Sequence, residues 1–163
     1  MKKMFKFLFL SLIIIQSLFA ENIIIGKYDR VDLPILKLND LKAKIDTGAK
    51  TSSLHCSYIK EINEDTVAFE VLDETHKKYR EKRYAMPIER IAKVRSSNGI
   101  IEKRYVILTK VIIFDKSYDV EFTLRNRKKM NYPILLGREF LENGFIVDVT
   151  KQNISFLEKK NKK

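Results

Sequence analysis

Residues 41–49 read LKAKIDTGA, and this stretch gives the most informative structural pattern in the sequence. Apolar residues alternate with lysines up to Ile45, a pattern that predicts a half-buried strand running directly into Asp46. Gly48 permits a tight turn and lets a backbone or a substrate approach closely, while Thr47 can fix the loop through its hydroxyl. The stretch therefore predicts a carboxylate held in a turn at the end of a strand.

Further strands are predicted along the chain by short apolar, β-branched or alternating runs that are bounded by turn residues. Residues 137–143 are instead predicted to form one or two helical turns, with Gly144 as the stop. Short strands at regular spacing favour a closed or sandwiched architecture, so we expect a mostly β fold with one short C-terminal helix. The predicted strands are 22–25, 31–38, 41–45, 66–72, 84–88, 90–95, 102–109, 111–114, 118–124, 134–136, 145–149 and 153–157.

Three connections between these strands have hairpin signals. Asn98-Gly99 lies between two alternating runs, which is a strong signal for a tight hairpin. The short polar segment 115–117 marks a second hairpin, and the charged connection 73–83 is predicted to be an exposed hairpin tip.

A single Asp46 cannot hydrolyse an amide, whereas two adjacent carboxylates can, because they share one proton. One then accepts a proton from water while the other protonates the carbonyl oxygen of the substrate. The sequence contains one Asp-Thr-Gly, and its nearest imitation, at Asp148, lacks the glycine. The second carboxylate would therefore come from another copy of the chain across a two-fold axis. Taken alone, the motif also fits an ordinary β-turn with an Asx hydrogen bond.

The first 20 residues have the pattern of a signal peptide, with lysines at positions 2, 3 and 6 and an apolar run that ends at Ala20. The run is short for a membrane span, which needs about 20 apolar residues. We therefore favour cleavage over an uncleaved anchor, which would be the chain's one membrane contact. We expect a signal peptide at 1–20, a folded domain at 21–158 and a basic tail at 159–163, in a periplasmic or secreted protein.

The chain is basic, with a formal net charge of +11, or +8 without the three lysines of the first 20 residues. A nucleic-acid-binding protein usually shows a basic stripe with stacking aromatics or a recognition helix. Neither is evident in the sequence, so no nucleic-acid partner is expected. The dispersed cations favour a peptide or protein substrate of acidic character.

The single cysteine, Cys56, is predicted to be a small buried hydrophobe. A nucleophilic Cys56 would need a base, and the adjacent His55 would point to the opposite face of a strand. We expect His55 to be structural and hydrogen-bonded to a backbone group.

A second motif, PILLGREFL at residues 133–141, combines an apolar pair, a glycine and a short predicted helix. Together with the Asp46 stretch it resembles the retropepsins, the single-domain aspartic peptidases of retroviruses and some bacteria, from about Leu41 to the C-terminus. In that family an apolar-apolar-Gly segment packs beside the Asp loop. A hairpin between the two motifs, where Asn98-Gly99 lies here, covers the substrate as a flap.

The resemblance implies a closed retropepsin-like (acid protease) β-barrel and assigns roles to single residues. Asp46, Thr47 and Gly48 would form the catalytic turn, and Gly137 and Arg138 would support it. Arg95, next to the flap, is the first candidate for reading an acidic side chain, followed by Arg125, Arg127 and Arg138, because guanidinium binds carboxylate bidentately. The residues expected to bind substrate are Ala49, Arg95, Ser97, Asn98, Gly99 and Leu136.

A narrower match is to a bacterial group that is similar to retropepsins and carries the label "ATP-dependent zinc protease"; some members stand beside ligases that add glutamate tails. Residues 43–55, 94–99 and 121–124, with Arg127 and Met130, carry this match. Zinc catalysis needs about three protein ligands, yet the only histidines are His55 and His76 and there is no His-Glu-x-x-His. ATP use would need a Gly-rich phosphate-binding loop, and the sequence has none. We expect neither a metal nor another cofactor.

The stretch from Cys56 to about Pro87 is longer than a minimal viral retropepsin needs, and a hairpin there could extend the flap, enlarge a dimer interface or block it. Two hypotheses follow. The first is an exported, homodimeric aspartic endopeptidase that uses Asp46 from each chain. The second is a non-catalytic periplasmic binding module on the same barrel, and a zinc-dependent peptidase is a less favoured third.

Overall fold

The computed structural model describes residues 22–95, 99 and 101–162, which form eleven strands and two short helices. The strands are β1 (Ile23–Gly26), β2 (Tyr28–Leu33), β3 (Leu38–Ile45), β4 (Ser52–Asn63), β5 (Thr66–Val71), β6 (Arg83–Pro87), β7 (Arg90–Arg95), β8 (Ile101–Ile113), β9 (Lys116–Arg125), β10 (Ile134–Leu136) and β11 (Phe145–Asp148). The helices are α1 (Arg138–Leu141) and α2 (Ile154–Asn161).

Six strands close into a barrel in the order β10-β3-β2-β8-β9-β4, because the short strand β10 pairs with both β3 and β4. The predicted closed, mostly β barrel is confirmed. Strand β3 shows the expected alternation, with Leu41, Ala43 and Ile45 buried and the two lysines between them exposed. Apolar side chains such as Phe69, Phe122 and Phe140 fill the interior, and each such burial contributes about 1.5–3 kcal/mol.

A hairpin of β7 and the first half of β8, which we call the flap hairpin, pairs Arg90 with Val106 and Arg95 with Ile101. Its position between the two motifs agrees with the sequence prediction. Residues 96–98 and 100, which follow β7 in the sequence, lie outside the described residues, so the predicted substrate contacts of Ser97 and Asn98 remain predictions. Gly99 is exposed, with a φ of +82°.

The long stretch after Cys56 forms a three-stranded extension of the barrel wall. Strand β4 runs on to Asn63, and β5 and β6 pair beyond its outer half. The Tyr84 ring stacks on Phe69, and its hydroxyl donates to the Leu36 carbonyl at 2.6 Å. The stretch is therefore an ordered part of the wall.

Several sequence predictions need correction. The run 31–38 is two strands joined by a turn, in which Lys37 has a left-handed φ of 54°. The predicted strand 111–114 is the continuation of the 13-residue strand β8. Residues 153–157, predicted as a strand, begin helix α2, so the fold has two short helices rather than one. Asp73, predicted in an exposed tip, is buried.

Helix α2 is tied to the barrel by the fully buried Asp29. The Asp29 carboxylate accepts the backbone N–H groups of Ser155 (2.9 Å), Phe156 (3.2 Å) and Arg30 (2.8 Å). Burial raises the pKa of Asp29, and these N–H donors act in the opposite direction. The carboxylate thus caps α2 from a distant strand. The helix includes Lys159, which pairs with Asp32 at 2.8 Å.

In the described part of the chain, we find no helix with the length and hydrophobicity needed to cross a membrane.

We expect Asp29→Ala to lower the free energy of unfolding by about 2 kcal/mol or more, because it leaves buried N–H groups of α2 without an acceptor. Urea denaturation followed by circular dichroism measures the change. Asp65→Ala, which removes an exposed carboxylate from the turn after β4, should stay within about 0.5 kcal/mol of the wild type. Equal stability of the two variants would contradict the capping role.

Candidate active site

Strand β3 delivers Asp46 to a turn of residues 46–49, the Asp46 turn, at the end of the barrel. The Asp46 amide donates to the Leu136 carbonyl at 2.9 Å. Its Oδ1 accepts the amides of Gly48 (3.0 Å) and Ala49 (3.2 Å), so the carboxylate is fixed by its own turn. Asp46 is half-buried, and Oδ2 has no hydrogen bond to another described residue. One carboxylate oxygen is therefore oriented and the other is open.

The segment after β10 supports the Asp46 turn through a very close backbone contact. A Cβ on Gly137 would lie 2.7 Å from the Lys50 carbonyl oxygen and 2.9 Å from the Thr51 carbonyl carbon. Glycine is required because any side chain would push these backbones apart. The contact is reinforced by Arg138 N–H donating to the Ala49 carbonyl at 2.9 Å, and by Gly137 N–H donating to Ser52 Oγ at 3.1 Å.

The Arg138 side chain also contacts the Asp46 turn. Its Nη1 donates to the carbonyls of Thr47 (3.1 Å) and Gly48 (2.9 Å). Thr47 enters these described contacts through its carbonyl, whereas the sequence suggested its hydroxyl. Arg138 therefore supports the Asp46 turn by binding two of its backbone carbonyls.

A cavity of about 730 Å³, the basic cavity, opens beside the Asp46 turn under the flap hairpin. Gly48 and Ala49 line it, so the cavity adjoins the turn that holds the Asp46 carboxylate. Its described lining contains seven cationic side chains and no carboxylate. The lining residues are Gly48, Ala49, Lys50, Thr51, Ser53, Arg90, Ile91, Ala92, Lys93, Val94, Arg95, Arg104, Thr123, Arg125, Arg127 and Leu135.

Two of the predicted substrate-binding residues, Ala49 and Arg95, line this cavity. Leu136 does not, because it is fully buried in the core. Alternate residues of a strand face opposite sides, and in β10 it is Leu135 that faces the cavity. No residue of the 56–87 stretch lines it, so the extension leaves the described cavity open.

Sequence reasoning missed Arg90, Lys93 and Arg104 as lining residues. Their strands were predicted, but the cavity forms between elements that are far apart in the sequence, so no local pattern identifies its lining. Arg104 and Arg125 approach the same carboxylate, Glu102, at 2.6 Å and 3.5 Å. Arg90 is paired with Glu121.

His55 is structural, as expected, and its partners include a buried carboxylate. Its Nε2 lies 2.8 Å from Asp73 Oδ2, and its Nδ1 accepts the Arg127 amide N–H at 2.9 Å. Burial tends to raise the pKa of Asp73, but bonds from Thr75 and His55 outweigh it and hold the pKa at about 2. Both ring nitrogens are occupied, which excludes a dyad with Cys56. Cys56 is fully buried, and burial raises the pKa of its thiol.

Among the described residues there is no group of three or more His, Cys, Asp or Glu side chains arranged to hold a metal ion.

Comparison with known proteins places this geometry in a family. The family model described as "RimB-like: Retropepsin-like aspartic endopeptidase RimB" matches residues 24–158. A crystal structure of a protein of unknown function from Legionella pneumophila superposes with a TM-score of 0.65 at 32% identity, over 83% of this chain and 99% of the other.

Two curated relatives are named "Probable alpha-L-glutamate ligase". The protein from Parasynechococcus marenigrum is 37% identical over 132 residues, 79% of this chain and 28% of its own length. The protein from Shewanella halifaxensis is 38% identical over 131 residues, 78% of this chain and 29% of its own length. The chain thus spans less than a third of these relatives. From the family match and the site geometry together, the chain belongs to the RimB-like family of retropepsin-like aspartic endopeptidases.

Proposed function

We propose that this protein is an exported, homodimeric aspartic endopeptidase that hydrolyses peptide bonds with water activated by Asp46 from each of two chains. The observation that carries the proposal is the Asp46 turn. Two amides fix one carboxylate oxygen and leave the other free to meet water and a second carboxylate.

A second copy of the chain is needed because the mechanism uses two carboxylates and one chain supplies only Asp46. The sequence has one Asp-Thr-Gly, and the described lining of the basic cavity beside it contains no carboxylate. With two copies related by a two-fold axis, the open oxygens of both Asp46 side chains would face one another. They would then share one proton and hold a water between them.

The reaction follows from that arrangement. The ionised carboxylate takes a proton from water as the water oxygen attacks the carbonyl carbon of the substrate. The protonated carboxyl gives its proton to the carbonyl oxygen, which forms a neutral tetrahedral diol. Proton transfer to the nitrogen then breaks the C–N bond, and it releases one new carboxyl end and one new amine end.

A surface that a second copy could cover lies on the two-stranded sheet of β1 and β11. Ile24 and Ile146 are register partners on one face, 44% and 51% exposed, and Val149 just beyond is 70% exposed. Adjacent exposed aliphatic side chains are typical of an interaction surface. We take this strip as part of the dimer contact.

The composition of the basic cavity supports an acidic peptide or protein as the substrate. Its seven cations, against no carboxylate in the described lining, would attract acidic side chains and orient them. The relatives that are named as glutamate ligases carry a matching segment in about 28% of their length. That name is compatible with an acidic substrate, but the ligase activity it states is a property of those longer proteins.

The export part of the proposal rests on residues 1–20, which lie outside the described residues. Their basic start, apolar run and terminal Ala20 are the support for it. A periplasmic or secreted location follows from this pattern.

We expect Asp46→Asn to reduce peptide cleavage by on the order of 10³-fold or more while the fold and the dimer persist, because an amide cannot accept the proton from water. Digestion of a peptide library, read by mass spectrometry, measures the activity. Asp65→Asn, on an exposed turn, makes the same change of charge and should cleave like the wild type. A fully active Asp46→Asn protein would refute the mechanism.

We expect Ile146→Glu to shift the dimer toward monomer and to abolish cleavage, because a charge would be buried in the contact. Sedimentation velocity and circular dichroism separate dissociation from unfolding. Ile62→Glu, at a similarly exposed position near the end of β4, should leave both association and activity unchanged. A stable wild-type monomer with Asp46 remote from any carboxylate would favour the non-catalytic binding module instead.

A further inference from the structure

Arg127 is a buried cation whose charge is not neutralised within the described structure. It lies two residues after the end of β9, is 8% exposed and lines the basic cavity. Its Nε donates to the Tyr132 carbonyl at 3.3 Å. No carboxylate among the described residues lies within ion-pair distance of its guanidinium.

The neighbouring arginines differ from Arg127 because they have carboxylate partners. Arg104 and Arg125 converge on the same cavity, but both are paired with Glu102. Burial, together with the charges of Arg125 and Arg104, lowers the pKa of Arg127, whereas Asp46 acts in the opposite direction. The Asp46 carboxylate thus acts on Arg127 through its charge, and no described hydrogen bond joins the two side chains.

A buried charge without a partner of opposite charge lowers the stability of the folded protein, and a ligand of opposite charge can offset this cost. Asp46 is not that partner in the free chain, because its Oδ1 accepts two turn amides and its Oδ2 makes no described hydrogen bond. The guanidinium fork matches a carboxylate geometrically and can bind one with two parallel hydrogen bonds. The cavity offers the space for such an anion.

We propose that Arg127 binds a carboxylate of the peptide substrate beside the bond that Asp46 cleaves, and that the buried His55–Asp73 pair positions Arg127 for this. The cleavage part of this inference rests on the proposed function, while the binding part does not.

The pair acts on the loop of residues 126–133, the Arg127 loop. His55 Nδ1 accepts the Arg127 N–H near one end of the loop, and the His55 amide donates to the Pro133 carbonyl at 2.8 Å at the other. An acceptor at Nδ1 carries no proton, so the proton of the ring is on Nε2 and is donated to Asp73. Asp73 is fixed in turn by the Thr75 amide at 2.8 Å.

The direction of these hydrogen bonds predicts that the Arg127 loop is sensitive to the loss of the Asp73 carboxylate. In Asp73→Asn, an amide NH₂ would face the Nε2 proton unless the amide turns its oxygen there or the ring moves its proton to Nδ1. A proton on Nδ1 would oppose the Arg127 N–H and displace the Arg127 loop. The damage would then reach the basic cavity through one hydrogen bond, even though Asp73 does not line it.

The binding experiment uses the full chain carrying Asp46→Asn, so that no peptide is consumed. Calorimetry compares a peptide set in which a single Glu is moved along an otherwise Gln-containing sequence. We expect one Glu position to raise the affinity by on the order of 10-fold, and Arg127→Gln to remove that gain while binding of the all-Gln peptide stays within about threefold. Arg127→Lys, which keeps the charge but not the fork, should restore part of the gain.

The control is Arg80→Gln, which makes the same change of charge at an exposed position outside the cavity and should keep the full preference for Glu. A preserved preference in Arg127→Gln would overturn the assignment, as would a wild type without any preference. If Arg127→Gln fails to fold, the comparison of Arg127→Lys with the wild type decides: equal Glu preference would also overturn it.

The positioning role is tested by Asp73→Asn against Asp65→Asn, the same substitution at an exposed position in the turn after β4. We expect Asp73→Asn to lower the ratio of Glu to Gln affinity by on the order of threefold or more, and Asp65→Asn to leave it unchanged. A merely structural role would lower stability and leave this ratio unaltered, which would overturn the positioning part.

The same variants on an active Asp46 background separate the two proposals. Arg127→Gln should raise KM for the Glu peptide more than it lowers kcat. Absence of all cleavage, with the Glu preference intact in the binding experiment, would contradict the proposed peptidase and leave the Arg127 assignment standing.

Discussion

The close backbone contact between Gly137 and residues 49–51 is the constraint on which the Asp46 turn depends. A turn that ends a strand would ordinarily be free to move, yet here its carbonyls receive donors from Gly137's neighbours and from the Arg138 side chain. The contact requires β10 to lie between β3 and β4, and that pairing also closes the barrel. One arrangement of three strands therefore closes the fold and holds the carboxylate that we assign to catalysis.

Charge is distributed unevenly around that carboxylate. The basic cavity gathers cations from β7, β8, β9 and the Arg127 loop. Its described ion pairs join Arg90 to Glu121 and both Arg104 and Arg125 to Glu102, whereas Arg127 has no carboxylate partner among the described residues. Arg104 and Arg127 are the two buried cations of its described lining, and repulsion between like charges is unfavourable unless an anion lies near them. In our proposal, the carboxylate of an acidic ligand would reduce this repulsion.

The sequence predicted those elements that are determined by a local pattern of residues. Alternation up to Ile45 predicted β3, and the Asn98-Gly99 signal predicted the flap hairpin. The packing of the Gly137 segment beside the Asp46 turn was expected from the family resemblance. Residues 153–157 were misassigned because the N-cap of α2 comes from Asp29, a residue 126 positions from Ser155 in the chain. Leu135 was missed in favour of Leu136 because the face of a three-residue strand cannot be read from two leucines. The His55–Asp73 pair has no local signal at all, since burial of Asp73 depends on how β4 and β5 pair.

The long stretch after Cys56 affects the site indirectly, through Asp73. It neither lines nor covers the described cavity, but it supplies Asp73, whose carboxylate sets the protonated nitrogen of His55 and so leaves Nδ1 as an acceptor for the Arg127 N–H. A barrel without this stretch would lack Asp73 and would have to fix the Arg127 loop by other means. We therefore interpret the extension as part of the structure that holds a cation beside the Asp46 turn. The segment that follows β5 acts on the cavity through three hydrogen-bonded residues, Asp73, His55 and Arg127.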